Sequence, residues 1–220
     1  MSLQRMAPLT GLLGLGGIFA GLWTMDSPGG EMTDPQLHQW FATHSMLHWM
    51  LSAIGFGLGG IFLLIFTAVL VARQEIVGAG AVGRHLTLVA GTAWGILTVA
   101  AAAMFAAVPS AQMFMGPQAP NGDTFRLGGG LFYGTLTLFC AFAAALLAVT
   151  LSITSLRTGL LPRSLAWIGI PAAVLMLTNV FLPMAIITLW YGAVCIALTV
   201  RKSPTPPPAA RVDGAVPVAA

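Results

Sequence analysis

Long apolar runs alternate with short polar connections along the chain. The runs cover about 7–23, 46–72, 86–108, 127–156 and 165–200. A helix that crosses a bilayer needs about 20 apolar residues, with a range of about 17–25. Each of the first four runs therefore predicts one span. The fifth holds no charged residue from Leu165 to Val200. As a single helix it would be about 54 Å long at 1.5 Å per residue, too long for a hydrocarbon core about 30 Å thick. Thr178 and Asn179 supply a polar turn and Pro183 a helix breaker, so the run divides into 165–181 and 183–200. The pattern predicts an all-α fold, a six-helix transmembrane bundle over 1–202. A Pro/Ala-rich tail follows over 203–220, beginning SPTPPP, of disordered or polyproline-like character.

Charge gives the bundle a direction. With the N-terminus inside, the inner segments hold Arg5, Arg73, Arg84, Arg157, Arg163, Arg201, Lys202 and Arg211, eight of the nine basic residues. Only Arg126 falls outside. An excess of Lys and Arg on the cytoplasmic side is the rule for membrane proteins, so both termini are predicted to be cytoplasmic in a bacterial inner (plasma) membrane. The first run could serve instead as a cleaved signal peptide, since Arg5 precedes it. No small-x-small cleavage site stands near its end, where Gly21-Leu22-Trp23-Thr24-Met25 is a poor substrate. The run is read as a retained span.

Composition agrees with a membrane protein. Of 220 residues, 57% are hydrophobic and 7% charged, against about 25% charged in soluble domains, and the mean hydropathy is +0.90. The net charge of +3 is spread singly between apolar runs, which argues against nucleic acid as a partner. The expected partners are membrane lipids, a membrane protein or a second copy of the chain. Cys140 and Cys195 lie in apolar runs without metal spacing and read as small hydrophobes. Gly17/Gly21, Gly55/Gly59, Gly91/Gly95 and Gly130/Gly134 give each of the first four spans a four-residue glycine pair. Such pairs let membrane helices approach closely. The hexapeptide GLGGIF occurs at 14–19 and 57–62, with an echo, LGGGLF, at 127–132. The first two copies lie on helices running in opposite directions, which favours coincidence over duplication.

Residues 44–50, HSMLHWM, carry the side chains that bind copper, zinc or haem iron. At about 100° per residue, a helix puts His44 and His48 about 40° apart and the two methionines about 200° round from His44. A mixed site on one helix is therefore disfavoured. His44 and His48 could still share a zinc or copper ion with His38 as a third ligand. Asp34 and Glu31 are further donors on that side, and Met113 and Met115 would suit copper(I). Haem is excluded, because His85 begins its span at the opposite face. The simpler reading is interfacial: Trp40, Trp49 and the histidines at headgroup level, with the methionines as packing filler and no cofactor.

The predicted spans have no Asp, Glu, Lys, Arg or His in their central thirds. Intramembrane ionisable groups mark proton relays and ion pathways, so a proton-coupled pump is not expected. No nucleophilic triad, H-E-x-x-H or phosphate loop is present. Asp26, Glu31 and Asp34 read as solvated loop carboxylates, and Asn179 as a turn cap. The expected function is that of a non-enzymatic accessory or scaffold protein in the lipid phase. A small transporter or channel for an uncharged or lipid-like solute is the alternative, its path lined by Thr92, Thr98, Thr135 and Thr137. An outward-facing copper or zinc binding protein is the third reading.

Residues 156–177, LRTGLLPRSLAWIGIPAAVLML, resemble a signature of uncharacterised six-span bacterial membrane proteins common in actinobacteria. In that family an inner loop R-x-G-x-L-P-R-x-L precedes the fifth span, and a tryptophan lies late in the sixth. Arg157, Gly159, Leu161, Pro162, Arg163, Leu165 and Trp190 fit. The stretch PQLHQWFATHSMLHWM, 35–50, is similar to the family's first outer loop. The likeness runs from about residue 8 to residue 202, although the Met- and Gly-rich outer side departs from the usual pattern. It implies a fold and a location, and no catalytic residues.

Overall fold

A computed structural model describes residues 6–28, 30–115, 121–178 and 181–201, the side chains of 115 and 181–184 excepted. All regular structure among them is helical. In chain order the helices are α1 (Leu9–Trp23), α2 (Asp34–Thr43), α3 (Met46–Ile76), α4 (Ala81–Met115) and α5 (Gly122–Tyr133). A π-helical turn, Gly134–Phe139, carries α5 into α6 (Cys140–Thr158), followed by α7 (Arg163–Met176) and α8 (Phe181–Val200). The tail from Ser203 and the turn residue Asn179 lie outside the described residues.

Among the described residues, three helices are long and apolar enough to cross a membrane: α3, α4 and the continuous 122–158 helix. They outrun the apolar runs that predict them. With 31 residues, α3 is about 46 Å long; helical backbone bonds are internal, so polar flanks such as Arg84-His85 continue α4 beyond its apolar part. Shorter apolar helices cover Leu9–Trp23, Arg163–Met176 and Ala185–Val200. The expected break at Pro183 is displaced. Met176 already ends α7, and Pro183 falls in the first turn of α8, where its missing N–H removes no helical bond.

Neighbouring helices form a closed ring. The packed pairs are α1–α3, α3–α4, α4–α6, α6–α7, α7–α8 and α8–α1. The glycine pairs explain how closely some of them approach. A Cβ on Gly17 would lie 2.8 Å from the Gly55 carbonyl oxygen, and one on Gly60 2.7 Å from that of Gly95. At Gly91 a Cβ would run into the Thr67 side chain. Three of the four predicted pairs thus sit at helix crossings. The fourth does not: a Cβ on Gly130 or Gly134 would meet nothing within 4 Å.

The two ends of the ring differ. One is basic and carries Arg73, Arg84, Arg157, Arg163 and Arg201. Its turns use glycine in the left-handed region, Gly78 at φ 70° and Gly159 at φ 71°. The basic side chains there tie the turns to helix ends. Arg201 Nη1 donates to the Gly159 carbonyl at 2.7 Å, Arg73 Nη1 donates to that of Leu198 at 3.0 Å, and Arg84 pairs with Glu75 at 3.1 Å. The opposite end is aromatic.

Candidate binding cavity at the aromatic end

Pro109 organises this end. It lies inside α4 and has no N–H, so the Phe105 carbonyl four residues earlier loses its helical donor. Trp49 supplies the replacement, its indole Nε1–H donating to Phe105 O at 2.7 Å from a 3% exposed ring. Around this bond stands an aromatic cluster. The Trp49 and Phe105 centroids are 5.3 Å apart, Phe105 and Phe132 4.7 Å, and Phe56 and Phe132 5.5 Å. These are the separations aromatic pairs favour.

The sequence missed α2, although its start is written in Thr33-Asp-Pro-Gln. Thr33 and Gln36 form a capping box, with the Thr33 N–H donating to Gln36 Oε1 at 2.9 Å. Asp34 is not a free loop carboxylate: its Oδ1 accepts the Gly122 N–H at 2.9 Å. Arg126, the only arginine or lysine among the described residues at this end, reaches the same connection. Its Nε donates to Gly30 O and its Nη2 to Met32 O, both at 3.1 Å, while Nη1 pairs with Asp123 at 3.1 Å. The chain between α1 and α2 is thereby pinned to the first turns of α5.

Between that connection, α4 and α5 lies a cavity of about 770 Å³. Ligand pockets commonly measure about 300–1,000 Å³. Ser27, Pro28 and Gly30 form one wall, Met104 to Ala111 of α4 another, and Thr124 to Tyr133 of α5 the third. Trp49 is a further lining residue. Every lining residue belongs to the aromatic end.

The proposed histidine site has a different geometry from the one its spacing suggests. His44 is not in α3. It ends α2 in an extended conformation, φ −104° and ψ 142°, and Ser45 then caps α3 by accepting the Leu47 N–H at 3.2 Å. His38 stands in α2 and His48 in α3, so His44 and His48 share no helical face. The His44 ring stacks on Trp40 at 4.3 Å, and its Nδ1 lies 3.0 Å from Trp40 O. Among the described residues, no group of three His, Cys, Asp or Glu side chains is placed to hold a metal ion. Met113 is exposed at the end of α4, and the Met115 side chain is outside the described set.

The threonines of the expected path are engaged elsewhere. Thr98 Oγ1 donates to Trp94 O at 2.8 Å, Thr137 to Tyr133 O at 2.7 Å, and Thr135 to Met104 Sδ at 3.5 Å. None of these, nor Thr92, lines the cavity. Sequence reasoning overlooked the cavity because its makers read as ordinary span residues. The usable signals were a proline four residues after an aromatic, and Gly128-Gly129-Gly130. Comparison with protein-family models, with curated proteins and with solved structures finds no match for this chain.

Proposed function

We propose that the chain is a six-span protein of a bacterial plasma membrane with both termini cytoplasmic. It acts there without catalysis, as an accessory protein that holds an uncharged, lipid-like molecule at its external end. The likeness of 156–177 to six-span actinobacterial proteins belongs to this reading. The single observation that carries the binding role is the cavity of about 770 Å³ walled by α4, α5 and aromatic rings. Support for counting α1 as a span comes from its depth. Gly11, Gly14, Gly17 and Gly21 abut Phe66, Leu63, Gly55 and Ser52 in turn, so α1 runs beside the apolar middle of α3. The hydroxyls of Thr98 and Thr137, bonded to carbonyls of their own helices, and that of Thr135, bonded to Met104 Sδ, favour a holding role over a conducting one.

Native mass spectrometry of the chain extracted in mild detergent tests this. The expected spectrum contains the chain with a bound molecule of lipid-like mass. A bare chain that conducts a solute in liposomes would replace the reading with that of a transporter.

A further inference from the structure

We propose that the occupant of the cavity is a planar, uncharged ring with hydrogen-bond-accepting oxygens and an apolar chain, the chemistry of a quinone-class lipid. This rests on the binding role proposed above and narrows it. The first observation is the shape of the α5 wall. Gly128, Gly129 and Gly130 stand in succession inside a helix, where each weakens the helix relative to alanine. No described neighbour requires them to be small, since a Cβ at any of the three would meet nothing within 4 Å. All three are among the residues that line the cavity. A bare backbone surface admits a flat ring in close contact, which a branched side chain would prevent.

The second observation is the opposite lining. Trp49, Phe105, Phe125 and Phe132 are among the lining residues of the same cavity, and aromatic groups favour offset or edge-to-face contact with another ring. The third concerns polar groups. Ser27, Thr124 and Tyr133 are among the lining residues, and none of their hydroxyls has a hydrogen-bond partner among the described residues. They are donors for carbonyl-type oxygens. The fourth is charge. The only ionic side chain in the lining is Arg126, already paired with Asp123 and bonded to two backbone carbonyls. Neither an anion nor a cation finds an uncommitted counter-charge, so the occupant is neutral.

The test uses the purified full chain in detergent, titrated with a decyl-substituted benzoquinone and, separately, with decanol. Quinones quench indole fluorescence, and Trp49 reports from the cavity lining. The expected result is saturable quenching by the quinone, with the saturable part missing in Trp49→Phe. Gly129→Leu fills the cavity and should weaken binding at least tenfold. Gly16→Leu, at another helical glycine whose Cβ would meet nothing within 4 Å, should bind as the native chain does. Gly129→Leu carries the test even if Trp49→Phe does not fold, and its own folding is checked by melting. Quenching unchanged in Gly129→Leu would mean partition into the micelle and overturns the proposal. Equilibrium dialysis with labelled ligands separates the remaining outcomes. Decanol binding as tightly as the quinone overturns the ring and leaves the lipid-binding role standing; binding of neither removes both.

Discussion

At the scale of single residues, the bond between Trp49 and the Phe105 carbonyl shows one local irregularity answered by another. Pro109 removes a donor in α4, and an indole on α3 replaces it at 2.7 Å inside a buried cluster. Trp49→Phe keeps the ring contacts and removes the donor, leaving a buried carbonyl unsatisfied. Such a loss costs about 1–3 kcal/mol. Pro109→Ala restores an N–H to α4, so Trp49→Phe should cost much less in that background. Thermal melts of the single and double variants in one detergent check this, and equal costs in both backgrounds would refute it. Neither partner was legible as such in the sequence. Trp49 read as an interfacial ring, because periodicity reports which side of a helix a residue occupies and not which carbonyl lies opposite. The shared helical face expected for His44 and His48 is absent for a related reason: the 40° relation needs one uninterrupted helix, and Ser45 starts a new one by accepting the Leu47 N–H. Ser45 is itself a typical cap residue, so that break was readable.

At the scale of elements, the glycine pairs divide into those that bring helices together and one that does not. Gly17 and Gly55 each leave room for the other's backbone, with a hypothetical Cβ 2.8 or 2.9 Å from the opposing carbonyl oxygen. Gly17→Ala or Gly55→Ala must push α1 from α3. Overpacking of this kind costs about 1–3 kcal/mol, and both variants should melt lower than the native chain. Gly130→Ala meets open space and replaces a poor helix former, so it should melt at the same temperature or higher by up to about 1 kcal/mol of stability. A Gly130→Ala variant that melts as low as Gly17→Ala would show that α5 has a close partner after all. The four-residue spacing was legible for all four pairs because it is a property of one helix. Which pairs meet a neighbour depends on the ring of contacts, and that no single run discloses. The same limit hid α2, whose ten residues are too polar to form an apolar run and announce themselves only through their capping box.

At the scale of the whole molecule, the positions of the apolar runs predicted where helices stand, and the ring gives those helices an order. Among the described residues, three are long and apolar enough to span by themselves; α1 and α7, with 15 and 14 residues, are about 22 Å and 21 Å long, short of a core about 30 Å thick. A short helix held in a bundle accommodates by local thinning of the bilayer and by its flanking residues. α1 lies between α3 and α8, and α7 between α6 and α8, so each shares the depth of a neighbour. If all six apolar helices cross, the basic end with Arg73, Arg84, Arg157, Arg163 and Arg201 faces the cytoplasm by the positive-inside rule. Arg126, bound to backbone carbonyls on the other side, is then an external clamp rather than a topological signal. A reporter fused after Lys202 should read as cytoplasmic and one inserted at Gly30 as external. A third, inserted after Leu177, separates six spans from four: it should read as external if α7 and α8 both cross, and as cytoplasmic if they lie together at the inner face. A cytoplasmic reading at Leu177 would remove the six-span topology yet leave the cavity on the external side, since its walls come only from α3, α4, α5 and the connection after α1.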